Sequence, residues 1–333
     1  MIRPRDELAP DFLGNLVSAG FFVDQVIARS TGVSYPAINA SELVAISIPV
    51  PPLAEQTQIA AFLDRETAKI DALVAQQQRL MELLKEKRQA VISHAVTKGL
   101  NPNAPMKPSG IEWLGDVPAH WEKTKIKRVA ATFEQGWSPQ CEGFPVENER
   151  QWGVLKVGCV NGGTFNPEEN KALPPELEPI PSLGIALDDL LISRANTREL
   201  VGGAAVARQN YANLLLCDKL YRLRFSHGEC DAEFIALYLG TAMARAQIEL
   251  AATGASRSMV NIAQSTILEM ELALPAFPEQ QTIVTFLKIE SATFDTLTTE
   301  AQHAIDLLQE RRTALISAAV TGQIDVRAAG LGA

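Results

Sequence analysis

No run of about eighteen apolar residues occurs anywhere in the 333-residue chain, so it has no hydrophobic segment long enough to cross a bilayer as a helix. Arg3, Arg5, Asp6 and Glu7 crowd the N-terminus and leave no apolar core for a secretion signal, which makes a cytoplasmic protein the expectation. The four cysteines, Cys141, Cys159, Cys217 and Cys230, form no C-x-x-C pair, which argues against a zinc site or a disulfide framework and for ordinary core thiols. His94, His120, His227 and His303 are dispersed without metal-ligand spacing. Nucleotide-driven chemistry would need a G-x-x-x-x-G-K-[ST] loop, and base methylation an Asn/Asp-Pro-Pro-aromatic motif. Neither is present, and Pro174–Pro175 sits in Leu-Pro-Pro-Glu. The acidic neighbours Glu168–Glu169 and Asp188–Asp189 read as loop and turn acids. No catalytic residue, cofactor or metal is expected.

Basic residues are also in short supply. The net charge is −9 and the pI about 5.1, and residues 118–275 hold 15 Lys and Arg against 19 Asp and Glu, a net of −4. A broad basic surface that grips phosphates is therefore excluded, and any contact with nucleic acid must be local or shared with a partner.

What the chain does have is a long-range repeat. Residues 51–97 align with 275–321 at an offset of 224, with 21 identities in 47 positions, among them Glu55/Glu279, Gln56/Gln280, Ile59/Ile283, Phe62/Phe286, Leu63/Leu287, Asp71/Asp295, Leu84/Leu308 and Arg88/Arg312. The similarity extends backwards at an offset of 222, where Phe12, Gln25, Thr31, Gly32, Ser34 and Asn39 match Phe234, Gln247, Thr253, Gly254, Ser256 and Asn261. Such a repeat sets the architecture before any residue is given a task. If the copies are of similar length, residues 1–45 are the tail of a domain whose complete copy begins near Trp121, and about a hundred residues of its front are missing.

After Pro49, Pro51 and Pro52, which favour extended backbone, residues 55–98 contain neither proline nor glycine, so a long helix is expected. Leu63, Ile70, Leu84 and Val91 are spaced by multiples of seven, with Ile59, Leu73 and Leu80 on companion positions and Gln77 interrupting the seam. The second copy repeats the phase with Leu287, Phe294, Leu308 and Leu315, joined by Ile283 and Leu297. Forty helical residues make a rod of about 60 Å, longer than one compact domain needs. A plain dimerising coiled coil is one reading, and an intramolecular antiparallel pair that spaces two lobes is the one favoured by the repeat. Gly99 and Gly322 end the helices. Between Trp121 and Pro275 the pattern changes to short apolar runs, GVLKVGCV (153–160), DDLLISRA (188–195), GAAVA (203–207) and LYRLRF (220–225), which read as strands, followed by helices around 232–251 and 262–269. The expected fold class is α+β: a mixed α/β domain plus two long antiparallel coiled-coil helices.

At VPPLAEQTQIAAFLD (50–64), GIEWLGDVPAHWEKTKIKRV (110–129) and LISRANTRELVGGAAV (191–206) the chain resembles the DNA-specificity (S) subunit of type I restriction–modification enzymes. The resemblance covers essentially the whole chain except the front of the first recognition domain, which makes this an S subunit truncated at its N-terminus. It implies a remnant of the first target-recognition domain (1–50), a first conserved spacer helix (51–100), a linker (101–120), a second target-recognition domain (121–275), a second spacer helix (276–325) and a tail (326–333). It also implies that each recognition domain reads one half of a bipartite double-stranded DNA site, that the helices fix the gap, that methyltransferase (modification) subunits dock on the helices, and that restriction subunits join the complex. The S subunit itself is a non-catalytic reader. With one intact recognition domain, the expected second half comes from a homodimer or a complementing S fragment. The alternative is a scaffold or remnant that still binds modification subunits through its coiled coil but no longer selects DNA.

Base edges are read by side chains such as Arg, Lys, Asn and Gln, and phosphates by Lys, Arg, Ser and backbone amides. In SRANTREL (193–200), Arg194, Asn196 and Arg198 crowd beside Gly202 and Gly203, a loop suited to close phosphate approach; a simple polar turn is the other reading. In TGASRSMVN (253–261), Arg257, Ser258 and Asn261 stand between apparent helices, where a Ser or Asn helix cap is the alternative. The first repeat carries Val33, Ser34 and Tyr35 there and no arginine, which favours a variable contact. Lys156 and Asn161 flank a strand, and Gln135, Trp137 and Ser138 occupy an earlier glycine-containing turn. Lys123, Lys125, Lys127 and Arg128 form the densest basic run, read as one exposed strand face that is either solvated or set on phosphate.

Overall fold

Three short helices, α1 (Pro10–Ser18), α2 (Gly20–Arg29) and α3 (Ala40–Val44), precede the Pro49, Pro51, Pro52 run, after which α4 (Leu53–Lys98) continues for 46 residues. The computed structural model describes residues 6–32, 36–148, 150–256 and 259–327. It divides into two units, one of residues 1–85 with 294–333 and one of residues 86–293. No helix among the described residues is long and apolar enough to cross a membrane.

In the first unit the start of α4 runs antiparallel to the end of the C-terminal helix α9 (Phe277–Val320). Ile59 and Leu63 share a core with Ile316, Ala319 and Val320. Further along, Asp71 accepts two hydrogen bonds from Arg312, at 2.9 and 3.4 Å, and Met81 lines a groove with Thr298, Thr299 and Gln302. Position rises along one helix as it falls along the other. Phe12, Leu16, Ala19 and Phe22 from α1 and α2 cap this core, each large apolar side chain contributing about 1.5–3 kcal/mol. Gln56, fully buried, ties the chain before α1 to the start of α4: its Oε1 accepts from Ala9 N–H (2.7 Å), and its Nε2 donates to the carbonyls of Glu7 (2.9 Å) and Pro51 (2.8 Å).

The heptad reading holds for the seam and fails for some companion positions. Leu63, Ile70 and Phe294 are buried, whereas Leu73, Leu80 and Leu297 are 46 %, 43 % and 40 % exposed. A pair of helices covers only one stripe on each, so apolar residues flanking that stripe face outward.

The second unit opens with the end of α4, closed by Gly99 in the left-handed conformation (φ 75°). A small ladder of β1 (Met106–Pro108) and β2 (Asp116–Pro118) leads to β3 (Glu122–Lys125), the single turn α5 (Ile126–Val129) and β4 (Ala130–Gln135). The following strands are β5 (Gly153–Leu155), β6 (Asn170–Ala172), β7 (Gly184–Ile185), β8 (Leu190–Ser193), β9 (Ala195–Asn196), β10 (Ala204–Val206), β11 (Tyr211–Leu215) and β12 (Leu220–Phe225). Helices α6 (Ala232–Leu239) and α7 (Ala242–Ala251) come next, then β13 (Thr253–Ser256), β14 (Met259–Asn261), α8 (Gln264–Leu268) and β15 (Glu271–Leu274). One antiparallel sheet has the order β10-β8-β12-β4; a second, β6-β5-β11-β7, contains a parallel β5–β11 pair; β13-β14-β9 form a third, and β15 pairs with β3.

Two cores result. The larger gathers Trp121, Phe234, Ile235, Tyr238, Tyr221, Leu223, Ile283 and Leu287, with the Trp121 ring 6.3 Å from Phe234 at 71°, edge to face. The smaller packs Val154, Val160, Ile185, Leu191 and Leu214–Cys217 between the first and second sheets. Arg222, wholly buried, joins these sheets by donating to Glu134 Oε2 (2.8 Å) and to the carbonyls of Gly184 (2.8 Å) and Ser182 (2.9 Å). Asp189 lies beside it and pairs with Arg224. At the start of α9, buried Gln280 accepts from Asp231 N–H (2.8 Å) and donates to the carbonyls of Glu229 (3.2 Å) and Pro275 (2.9 Å).

Three local expectations change. GVLKVGCV is a strand only to Leu155, after which Val157–Gly163 form 3-10 turns kinked at Asn161 and Gly162. The region 232–251 is two helices, split at Gly240 and restarted by the Thr241 side chain, which accepts from Ala244 N–H. Lys123 and Lys125 lie on β3 but Lys127 on α5, and they are matched by acids: Lys123 with Glu271 (3.1 Å), Lys125 with Glu269 (2.9 Å) and Lys127 with Glu269 (2.6 Å).

Candidate nucleic-acid interface

The polar residues that sequence reasoning singled out come largely to one place because four backbone segments converge there. Gly136, just after β4, passes so close to the 216–217 backbone that a Cβ would lie 2.0 Å from the Leu216 carbonyl oxygen, so only glycine fits. Trp137 N–H donates to that same oxygen (3.0 Å) while its half-buried ring packs on the smaller core, anchoring the turn. The next residue, Ser138, donates from Oγ to the Asp218 carboxylate and accepts from Asp218 N–H (3.2 Å). Gln135 Nε2 donates to the Asp218 carbonyl (3.1 Å), as does Arg194 Nη1 (3.4 Å).

Arg194 is held by its own backbone too, donating to Lys219 O (2.8 Å) and accepting from Ile262 N–H (3.0 Å). Asn196 follows on β9, its Nδ2 3.4 Å from Asn161 Oδ1 and 3.4 Å from Ser193 Oγ. Asn261 on β14 pairs in register with Ala195 and Thr253. Gln135, Ser138, Asn161, Arg194, Asn196 and Asn261 are thus linked by short bonds and ladder pairs around the 217–219 turn. These amide and guanidinium groups stand at strand ends; Asn196 Oδ1 accepts from Thr197 N–H (2.9 Å), while further donors of Arg194 and amide atoms of Gln135 are left to meet a base edge or a phosphate. The half-buried Asp218 organises them, and no search for basic or amide side chains points to that residue.

Other candidates fall elsewhere. Lys156 pairs with Glu169 (3.7 Å) at the start of the 3-10 turns. Arg198 donates to Glu249 O (2.9 Å), near the C-terminal end of α7 where a cation is favoured, and so braces a loop. The phosphate-loop reading of Gly202 and Gly203 is corrected: their N–H groups donate to Ser193 O (2.7 Å) and Leu200 O (3.0 Å), and a Cβ on Gly202 would lie 2.5 Å from the Ile248 side chain. They close a turn against a helix. Thr253–Ser256 and Met259–Asn261 are no helix cap but the antiparallel strands β13 and β14. Arg257 and Ser258, like Val33, Ser34 and Tyr35, lie outside the described residues.

Burial pushes the Cys217 and Cys230 thiols up to about 12, and Cys159 further still. Glu134, Asp189, Arg222 and Arg224 form a structural network between the sheets.

The second unit is a strand-rich lobe whose strand ends bring amide and guanidinium groups together, and in the first unit the ends of two long helices run antiparallel, which makes the chain an α+β protein. The chain belongs to the family described as type I restriction modification DNA specificity domain, whose model matches residues 2–82 and 188–306. The two matched segments end at equivalent positions of the repeat, Glu82 and Asp306. Among curated relatives it is similar to the type I restriction enzyme EcoEI specificity subunit of Escherichia coli, 28 % identical over 67 % of this chain and 38 % of that one. It is also similar to the EcoKI specificity subunit of Escherichia coli strain K12, 24 % identical over 97 % of this chain and 68 % of that one. The chain therefore spans between 38 % and 68 % of the length of these two relatives. Its fold is similar to the HsdS subunit from Thermoanaerobacter tengcongensis (20 % identity, TM-score 0.54, covering 97 % of this chain and 73 % of that one). A second similar structure comes from work on complex assembly and conformational transition of the type I R-M system (20 % identity, TM-score 0.63, 96 % and 73 % covered).

Proposed function

We propose that this chain reads DNA sequence as the specificity component of a type I restriction–modification complex and brings modification and restriction subunits to the target, with no catalytic centre of its own. In this reading residues 121–275 are the complete recognition domain, 51–100 and 276–325 are the spacer helices on which modification subunits dock, and 1–50 belong to a first recognition domain. The observation that carries it is the Asp218-centred cluster, which presents Arg194, Asn196, Gln135 and Asn261 together on strand ends. Arg and amide side chains are the groups that read purines in the major groove. The acidic balance of residues 118–275 means that phosphate attraction is supplied in part by the modification subunits.

That same acidic balance favours a second reading, a scaffold that holds modification subunits without selecting DNA. Co-purification with the cognate modification subunit, followed by methylation mapping on a random DNA library, separates the two. Methylation confined to one motif supports the reader, with a palindrome indicating paired copies. A stable complex with no motif supports the scaffold.

A further inference from the structure

Acid outweighs base in residues 118–275, and most of the described cations there are matched. Both lysines of β3, Lys127, Lys156, Arg208, both arginines of β12 and Arg245 stand within 3.7 Å of a carboxylate oxygen. Arg194 and Lys219 form no such pair among the described residues, and they stand side by side. The Arg194 N–H donates to the Lys219 carbonyl (2.8 Å), one step beyond the register pair Ser193–Leu220 that ends the β8–β12 ladder.

Residues set opposite each other on antiparallel strands are neighbours, and like charges in that relation destabilise the pair. The acid next to Lys219 in the chain does not relieve it. Asp218 turns its carboxylate to Ser138 Oγ and offers Arg194 only its carbonyl (3.4 Å). Lys219 is exposed and Arg194 half-buried, so both charges are open to an anion from outside. Two cations held together by the backbone, at the strand ends that gather the amide groups, are the arrangement a phosphodiester would satisfy.

We propose that Lys219 grips a DNA phosphate beside the bases that Arg194 addresses, and so sets the register of the 217–219 turn on the duplex. The proposal rests on the reading of residues 121–275 as a DNA-recognition domain. The two cations divide the work by their chemistry. An ammonium on a flexible stem is a point charge that follows a phosphate oxygen, whereas the fixed fork of a guanidinium matches the edge of guanine. One arm of the Arg194 fork is committed to the Asp218 carbonyl, which aims the rest, while the Lys219 amine makes no hydrogen bond among the described residues. A phosphate contact carries no sequence information, so position 219 contributes affinity and salt dependence and not selectivity.

The test uses the full chain in complex with its modification subunit and two short fluorescein-labelled duplexes, one carrying the motif found by methylation mapping and one a scramble of it. Fluorescence anisotropy gives the affinity for each over a range of salt concentrations. Lys219→Gln is expected to flatten the slope of log affinity against log salt by about 0.9, the share of one phosphate contact, on both duplexes. Both affinities fall by the same factor, and the motif and the ratio between the duplexes stay as in the parent. Lys219→Arg keeps the charge and is expected to keep the parent's slope. Lys127→Gln removes a charge that Glu269 already holds and is expected to change neither slope. An unchanged slope in Lys219→Gln overturns the proposal, as does an equal flattening by Lys127→Gln, which makes the effect one of net charge. A narrowed ratio or an altered motif makes Lys219 a base reader and overturns it too. A parent complex that methylates without a motif fails the recognition reading itself, and the proposal falls with it; a motif-reading parent with an indifferent Lys219→Gln fails the proposal alone.

Discussion

Gln56 and Gln280, 224 positions apart, make the same three hydrogen bonds: each amide oxygen accepts one backbone N–H, from Ala9 or Asp231, and each amide nitrogen donates to two carbonyls, of Glu7 and Pro51 or of Glu229 and Pro275. The partners before the short helices are themselves 222 apart, so one buried amide fixes how the short-helix segment joins its long helix in each unit. Alanine at either position leaves buried backbone groups unpaired at about 1–3 kcal/mol per group. Gln56→Ala is expected to raise hydrogen exchange in the first unit alone, and Gln280→Ala in the second alone, each with a lowered melting temperature.

Alanine at Arg194 and Asn196, together with Arg257, is expected to relax or abolish motif selection while the chain still co-purifies with modification subunits. A lost base contact of this kind costs about 1–3 kcal/mol of discrimination. Methylation mapping of each variant reads the loss, and unchanged selectivity would remove these residues from the interface.

Asp189 holds Arg224 and stands 3.6 Å from buried Arg222. Asp189→Ala removes one of the two carboxylates beside buried Arg222 and the one that holds Arg224, at an expected cost of about 1–3 kcal/mol. Chemical denaturation is expected to show it, with a much smaller effect from replacing exposed Lys219.

Lys127 first, and then Lys125, hold the Glu269 carboxyl down at about 2 from its ordinary 4.5. A depressed folded value means that these pairs stabilise fully above pH 4.5 and lose their effect as pH falls through about 2. The groups are exposed, so salt screens them and the effect is small. Glu269→Gln is expected to melt slightly below the parent near neutral pH in low salt, the two curves converging in strong acid or in about 1 M salt.

Thiol reagents test the cores. Burial shifts all four thiols upward, but Cys159, Cys217 and Cys230 are buried while Cys141 is half-exposed. Near pH 8 Cys141 is expected to react alone in the native chain, and all four in denaturant.

The repeat, the two long helices and their glycine ends were legible in the sequence because helix periodicity and proline punctuation are local signals. The outward turn of Leu73, Leu80 and Leu297 was not, since a heptad does not say how many partners cover it. Arg198 and Arg194 look alike in SRANTREL, yet one braces α7 and the other joins the polar cluster; only the strand register separates them. Gly202 resembled a phosphate-loop glycine because close approach to a side chain and close approach to an anion demand the same missing Cβ. Asp218 gave no signal, as its carbonyl does much of the organising.

That carbonyl has a consequence for how such a chain changes over generations. Gln135 and Arg194 are aimed by a main-chain oxygen, which persists whatever residue occupies position 218. Drift at that position leaves the posture of both donors intact, so the side chains that the proposed reading sets on DNA can change one at a time without rebuilding the lobe that displays them.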